Sequence, residues 1–299
     1  MTGTKYRITA KLFFLVQIAA LCVFWGRAWQ HWFWDAPYRS LLWDEVWMSG
    51  LVEVLLGMNW EDYVTNNAVD KGIQTWIRIT AVIYFLAGAA VLGIKYFGKW
   101  ARTLIWFGLI NLVLLSLLYF KERFFAVGQF FEYALQMLAP FLVLYTDRRS
   151  WVTHRFITGL KWAIMLTFTC HGLYAIGYYP RPVHFQEMVM NILHLPENAV
   201  KYFLNAAGIL DFVMSIMIFL PWKRIQLLGL LYAIAWGFFT SIARVWAFVH
   251  VEYFVSSLHQ WWYETVFRFP HFLLPLLVLL LLLQKEKSNP TSTEVGVPA

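Results

Sequence analysis

Charged residues are scarce in this 299-residue sequence, because Asp, Glu, Lys and Arg make up 14% of it while hydrophobic residues make up 60%. Soluble domains carry about 25% charged and about 45–50% apolar residues. The shortage of charge therefore excludes an ordinary soluble domain. The sequence predicts an all-α fold, a polytopic membrane helical bundle whose surroundings are the lipid bilayer.

Cysteine is rare as well, since Cys22 and Cys170 are the two in the sequence and both lie inside apolar segments. They do not form an extracytoplasmic disulfide framework, and two cysteines alone make a poor metal site. The sequence also lacks a glycine-rich phosphate loop, a nucleophile elbow, a haem ligand pair and histidines at zinc-ligand spacing. We therefore predict no metal site and do not expect ATP-driven transport.

About eight apolar segments are predicted to cross the membrane. Several are somewhat shorter than the roughly 20 residues that a perpendicular helix needs, so aromatic flanks complete the crossing. A signal peptide is the alternative for the first segment, but no small-residue cleavage site follows it. The predicted spans are 12–26, 79–94, 103–120, 124–146, 162–178, 202–220, 225–249 and 265–283.

Lysine and arginine cluster before the first span and after each even-numbered span. The positive-inside rule then places both termini in the cytoplasm. The net charge of +7 is explained by these clusters at span ends, and we predict no nucleic-acid partner. The opposite loops are acidic and rich in Trp. The longest, 30–77, contains a segment at 41–60 whose helical spacing predicts a helix in the membrane interface.

The two halves of the sequence look alike, which predicts two parallel four-helix repeats at 1–150 and 151–284. Residues 285–299 form a polar tail that we predict to be disordered and cytoplasmic. The alignment of the halves rests on small and polar residues at matching places in the spans. It places Trp25-Gly26-Arg27 on His171-Gly172-Leu173, Gln136 on His271, and Pro140 on Pro275.

Three motifs carry a family resemblance over Trp162 to Leu283: CHGLYAIGYYP, FQEMVMNILHLP and AAGILDFVMSIMIFLP. Here the chain resembles the DoxX family of four-span membrane proteins, which includes the small subunit of thiosulfate:quinone oxidoreductase. The resemblance implies a bacterial inner-membrane protein engaged in quinone-linked redox work. This sequence has Asp211 where the family usually has Glu, and His171 with Tyr174 near a position that is often Lys. A weaker resemblance is to the HTTM membrane domain of gamma-carboxylases, with its Trp-rich extracytoplasmic loops.

Titratable groups inside apolar segments are candidates for function, because they are costly at that depth. Glu264, Arg268 and His271 have the spacing i, i+4, i+7 that places them on one helix face. We expect Glu264 to pair with Arg268, which leaves His271 deepest. The group is either a proton relay or pocket wall for a quinone-like head group, or an interfacial ion pair with a histidine bonded to a neighbouring helix.

Asp211 lies near mid-membrane, and Arg244 is its predicted partner across a water-lined cavity or through a long reach of the arginine. The alternative is a pair that only fixes helix packing. His171 is either a ligand or a packing hydrogen-bond donor. The corresponding first-half candidates include Arg27, predicted to lie against tryptophan rings, and Glu132. The full first-half set is Arg27, His31, Arg78, Glu132 and Gln136, with Glu132 and Gln136 facing Arg78 or Arg27.

Three functions are candidates. The first, which the DoxX resemblance implies, is a quinone-linked oxidoreductase subunit, or support for a redox partner, with a cavity that opens on the extracytoplasmic side. The second is a non-enzymatic carrier or binding protein for a small apolar or anionic solute, with Arg244 and Arg268 as anion contacts. The third is a membrane scaffold whose Trp-rich outer loop docks an extracytoplasmic protein.

Overall fold

The computed structural model describes residues 5–284, and it is built almost entirely from α-helices. The predicted tail, 285–299, lies outside the described residues. Two short strands, β1 (Lys5–Arg7) and β2 (Trp151–Thr153), accompany the helices. The helices are α1 (Ala10–Phe33), α2 (Arg39–Leu42), α3 (Glu45–Leu56), α4 (Trp60–Thr65), α5 (Asn67–Glu122), α6 (Val127–Glu132), α7 (Ala134–Thr146), α8 (His154–Ile176), α9 (Val183–Leu193), α10 (Glu197–Met217), α11 (Lys223–Phe248), α12 (Phe254–Val266) and α13 (Pro270–Leu283).

Six helical segments of the described chain are long and apolar enough to cross a membrane. They indicate an integral membrane protein, and the prediction of a helical membrane bundle is confirmed. The count of eight spans and the internal repeat stay predictions. The six segments are Ala10–Phe33, Asn67–Glu122, Val127–Thr146, Glu197–Met217, Lys223–Phe248 and Val251–Leu283.

Helix α5 contains both the second and the third predicted spans. A straight helix of its 56 residues would extend about 84 Å, far beyond the roughly 30 Å of a bilayer's hydrocarbon core. The helix is interrupted at Gly98, whose φ of 47° and ψ of −106° are not helical. Glycine adopts a positive φ at little cost because it has no Cβ. Gly98 therefore divides α5 into two apolar halves.

The predicted loop at 30–77 is largely helical, which corrects its description as a long loop. Asp44 is the N-cap residue of α3, and its side chain accepts a hydrogen bond from the amide of Trp47 at 3.1 Å. Asn59 is the N-cap residue of α4, and its side chain accepts from the amide of Asp62 at 2.8 Å. Side-chain oxygens of this kind satisfy the free amides of a first turn. Helix α3 leaves Val46 and Val54 exposed, as expected of a helix at a membrane surface.

The two strands form an antiparallel ribbon that was not predicted from the sequence. The ribbon is an exception to the predicted all-α fold. Tyr6 pairs with Val152, and both side chains are buried. Gln284, at the end of α13, exchanges two hydrogen bonds with the backbone of Arg7, at 2.9 and 2.8 Å. The beginnings of α1 and α8 and the end of α13 therefore meet at one end of the bundle.

The helices of both halves of the sequence share one hydrophobic core, with α1 packed against α5, α7, α12 and α13. Small residues bring helices close in the second half. A Cβ at Gly172 of α8 would lie 3.0 Å from the carbonyl oxygen of Gly208 on α10. Close approaches of this kind are typical of membrane helix pairs. This approach places His171 beside α10.

Candidate functional site

Two adjoining cavities lie toward the end of the bundle opposite the ribbon. The apolar chamber, of about 430 Å³, lies among α8 to α11 and α13, and the polar chamber, of about 300 Å³, lies beside it. Phe185, Arg244 and Arg268 line both. The walls of the apolar chamber include Met188, Ile192, Phe203, Ala207, Trp236 and Trp246, and those of the polar chamber include Arg27, Arg123, Gln129, Glu132, Tyr174 and Glu264.

Two histidines form one wall of the apolar chamber. The rings of His171 and His271 are stacked, with centroids 5.3 Å apart and planes inclined by 6°. Nε2 of His171 lies 3.0 Å from a carboxylate oxygen of Glu132, to which it donates. Nδ1 of His271 lies 2.8 Å from the carbonyl oxygen of Arg268, so Nδ1 carries the proton. Nε2 of His271 is buried and has no hydrogen-bond partner within residues 5–284.

Asp211 also lines the apolar chamber, and its side chain is 2% exposed. It accepts a hydrogen bond from the hydroxyl of Tyr232 at 3.1 Å. The predicted pairing of Asp211 with Arg244 is wrong, because Nε of Arg244 binds Glu264 at 2.8 Å and its Nη1 binds the carbonyl of Thr240 at 3.0 Å. The sequence places Arg244 nearer the outer end of its span than Asp211, and the arginine contacts Glu264 instead of reaching inward.

The predicted pairing of Glu264 with Arg268 along one helix is wrong as well. Helix α12 ends at Val266 and α13 begins at Pro270, so the i, i+4 geometry of a continuous helix does not hold across the break. Arg268 instead lies 3.6 Å from Glu132. Glu132 thereby contacts both His171 and Arg268, and it links the first half of the sequence to the second.

Arg27 is 1% exposed and lies on the wall of the polar chamber. Its guanidinium donates to Gln30 at 2.6 Å and to Gln136 at 2.7 Å. The predicted contact with aromatic rings exists, but with other partners than the neighbouring tryptophans. The guanidinium carbon lies 3.8 Å from the ring centroid of Phe267 and 5.0 Å from that of Tyr133.

Two first-half candidates lie away from both chambers. His31 is fully buried, with Nδ1 2.8 Å from the carbonyl oxygen of Arg27 and its ring edge-on to Tyr38 and Tyr84. Arg78 is exposed on α5, so it is not the partner of Glu132 or Gln136. Of the remaining first-half candidates, Arg27 and Glu132 line the polar chamber together with second-half residues, and Gln136 contacts Arg27.

Several polar residues in and around the site were not predicted from the sequence. Gln30 follows Arg27 by three residues, a spacing that places both on one face of a helix. Its contact with Arg27 could therefore be predicted from the sequence. Tyr119 and Tyr232 each belong to a different helix from the residue they contact, and Tyr133, which contacts Arg27 of α1, lies between α6 and α7. No spacing along the chain identifies such partners.

His184, on α9, lines the polar chamber. Burial, followed by the positive charges of Arg244 and Arg268, lowers its pKa from 6.5 to about 4. Between those pH values the unfolded chain binds a proton that the folded chain does not, so stability should fall as the pH falls through this window. His184→Gln should reduce the loss of thermal midpoint between pH 7 and pH 5.

The matched control is His154→Gln, which changes an exposed histidine of α8. It should respond to acid as the unaltered chain does. Equal acid sensitivity in His184→Gln and the unaltered chain would contradict the half-buried, neutral state of His184.

Within residues 5–284, no three His, Cys, Asp or Glu side chains are grouped so as to hold a metal ion. Comparison with known proteins yields no matching family model, no matching curated protein and no matching solved structure. The DoxX-like and HTTM resemblances therefore stay predictions, and the site has to be interpreted from its own geometry.

Proposed function

We propose that this membrane protein binds a lipid-soluble ring compound of the quinone class in the apolar chamber. The observation that carries the proposal is Nε2 of His271, a buried polar atom without a partner in the described part of the chain, on a residue that lines a largely apolar cavity. A buried polar atom left unpaired costs about 1–3 kcal/mol. Apolar cavities of this size with a few convergent polar groups are typical of small-molecule sites.

The surroundings of the chamber also fit a ligand that comes from the bilayer. Trp246 and Phe239 line the chamber and are 66% and 55% exposed, so the cavity reaches the lipid-facing surface of α11. Aromatic walls such as Trp236 and Phe203 fit a flat ring, because offset and edge-on ring contacts are favourable. When bound, a quinone-class ligand would accept or release two electrons and two protons, and the protons would be exchanged at its ring oxygens.

The chain's own groups define which form of the ligand fits better. Because Nδ1 of His271 donates to Arg268, Nε2 of the neutral ring is a hydrogen-bond acceptor. It therefore accepts from a ring hydroxyl, which the reduced, quinol form has and the quinone form lacks. The stacked His171, bonded to Glu132, holds a proton between the two chambers. Electron transfer would then involve a redox partner protein on the extracytoplasmic side.

The proposed topology has eight crossings, as two four-helix repeats at 1–150 and 151–284. It treats the two parts of α5 on either side of Gly98 as separate spans and counts α8 as a crossing. Arg102, beyond Gly98, forms an ion pair with Asp147 at the end of α7, which supports placing the Gly98 bend at the ribbon end. Basic residues at that end support cytoplasmic termini in a bacterial inner membrane.

Two substitutions of one residue test the binding proposal. His271→Asn can keep a hydrogen-bond donor near the position of Nδ1 but has no atom at the position of Nε2. His271→Gln places a polar group near the position of Nε2. With the full chain in nanodiscs, a short-chain benzoquinol should bind His271→Asn about threefold to tenfold more weakly than the unaltered chain, the loss of one hydrogen bond. His271→Gln should retain more of the affinity.

The quinone form of the same compound is the matched control ligand. Its affinity should be lower than that of the quinol and should change little in His271→Asn. If neither form binds, or if His271→Asn binds the quinol as tightly as the unaltered chain, the quinone proposal is wrong.

A further inference from the structure

The polar chamber has a buried positive charge that the described residues do not neutralise. Arg27 is 1% exposed, and its hydrogen bonds go to the neutral amides of Gln30 and Gln136. Within residues 5–284 it makes no ion pair with a carboxylate. Burying an unpaired charge is costly, and buried charges in proteins are normally paired. The aromatic rings around Arg27 supply only part of what a counter-ion would.

The whole lining of the polar chamber has a surplus of positive charge. Four arginines and two glutamates line it, so positive charges exceed negative charges by two. Both glutamates, Glu132 and Glu264, already contact Arg268 or Arg244. Arg27 and Arg123 therefore remain as the unmatched cations, with Arg27 buried and Arg123 exposed at the mouth.

Three residues that line the polar chamber each have a buried donor without a hydrogen-bond partner among residues 5–284. The donors are Nε of Arg27, Nε of Arg268 and the hydroxyl of Tyr174. Tyr174 is only 5% exposed. Water would satisfy such donors but would not neutralise the charge. An oxyanion would do both, since guanidinium groups bind carboxylate and phosphate oxygens through paired N–H donors.

We infer that the polar chamber binds an oxyanion, a carboxylate or phosphate group, between Arg27, Arg268 and Tyr174. Its volume of about 300 Å³ is roughly ten times the share of one water molecule, which leaves room for such a group with bound water. This site adjoins the histidine wall of the apolar chamber, because Arg268 lines both chambers and its carbonyl accepts from Nδ1 of His271. The oxyanion comes either from an anionic lipid head group or from a free solute.

The test measures the thermal midpoint of the full chain in phosphatidylcholine nanodiscs. One arm adds millimolar inorganic phosphate or acetate against chloride at equal ionic strength, and the other adds phosphatidic acid to the bilayer. A bound anion should raise the midpoint by a few degrees, because it binds the folded chain only. A rise in the first arm identifies a free solute, and a rise in the second arm alone identifies a lipid head group.

Arg27→Gln should lose this rise, whereas the matched control Arg78→Gln, which changes an exposed arginine of α5, should keep it. Without added anion, Arg27→Gln should be at least as stable as the unaltered chain, since it removes an unpaired buried charge. Tyr174→Phe removes a hydroxyl that has no partner within residues 5–284 and should fold normally, with affinity for the anion lowered about threefold to tenfold.

Two results would overturn the inference. One is a midpoint that responds to neither arm. The other is a full response that survives in both Arg27→Gln and Tyr174→Phe. The benzoquinol titration tests His271, whereas the oxyanion test depends on Arg27 and Tyr174. Failure of the quinone proposal can therefore be distinguished from failure of the oxyanion inference, because the variants and the ligands differ.

Discussion

Glu264→Ala should lower the free energy of unfolding by about 3–5 kcal/mol, the cost of leaving one partner of a buried ion pair unpaired. Arg244 is 3% exposed, and its Nε lies 2.8 Å from the Glu264 carboxylate. In Glu264→Ala its remaining bond to the described residues would be the one to the carbonyl of Thr240. The measurement is the denaturation midpoint of the purified chain in detergent or nanodiscs.

The double variant Glu264→Ala with Arg244→Met should recover much of this loss, because it removes both charges and keeps an apolar side chain in place. The exposed pair of Glu197 and Lys201, 2.8 Å apart, provides the matched control. Exposed pairs contribute little, so Glu197→Ala should leave the midpoint unchanged. Equal effects at the two sites would mean that the Arg244 charge is not buried as described.

Composition and the length of the apolar segments were enough to predict a helical membrane protein. They were also enough to locate the titratable groups that lie at depth, and most of these line the two chambers. Hydropathy gives the depth of a residue along its helix. It does not give the direction in which the side chain points, and for this reason it could not identify Tyr232, rather than Arg244, as the partner of Asp211.

The contacts that form the site join helices far apart in the sequence. The predicted contact of Arg27 with Gln136 within the first half is confirmed, but Glu132 contacts His171 and Arg268 of the second half. The expectation of a separate set in each half could not anticipate this, because helix packing, not sequence spacing, brings these residues together. The break between α12 and α13 was also missed, although Pro270 is a signal for a new helix start.

Gly237→Ala should affect both the fold and the histidine wall, because α11 and α13 touch at this glycine. A Cβ at position 237 would lie 2.5 Å from the carbonyl oxygen of His271 and 2.8 Å from its carbonyl carbon. Both are backbone atoms, so the clash cannot be relieved by turning a side chain, and the helices have to separate. Overpacking of this kind costs about 1–3 kcal/mol and sometimes more.

Gly159→Ala is the control that separates this clash from the general effect of replacing a helical glycine. A Cβ at Gly159 of α8 meets nothing within 4 Å, so alanine there should raise stability by roughly 0.5–1 kcal/mol. Gly237→Ala should lower the midpoint and weaken benzoquinol binding together, since the displaced segment includes His271. A stability loss with unchanged quinol affinity would mean that the α11–α13 contact supports the bundle but does not position His271 for the ligand.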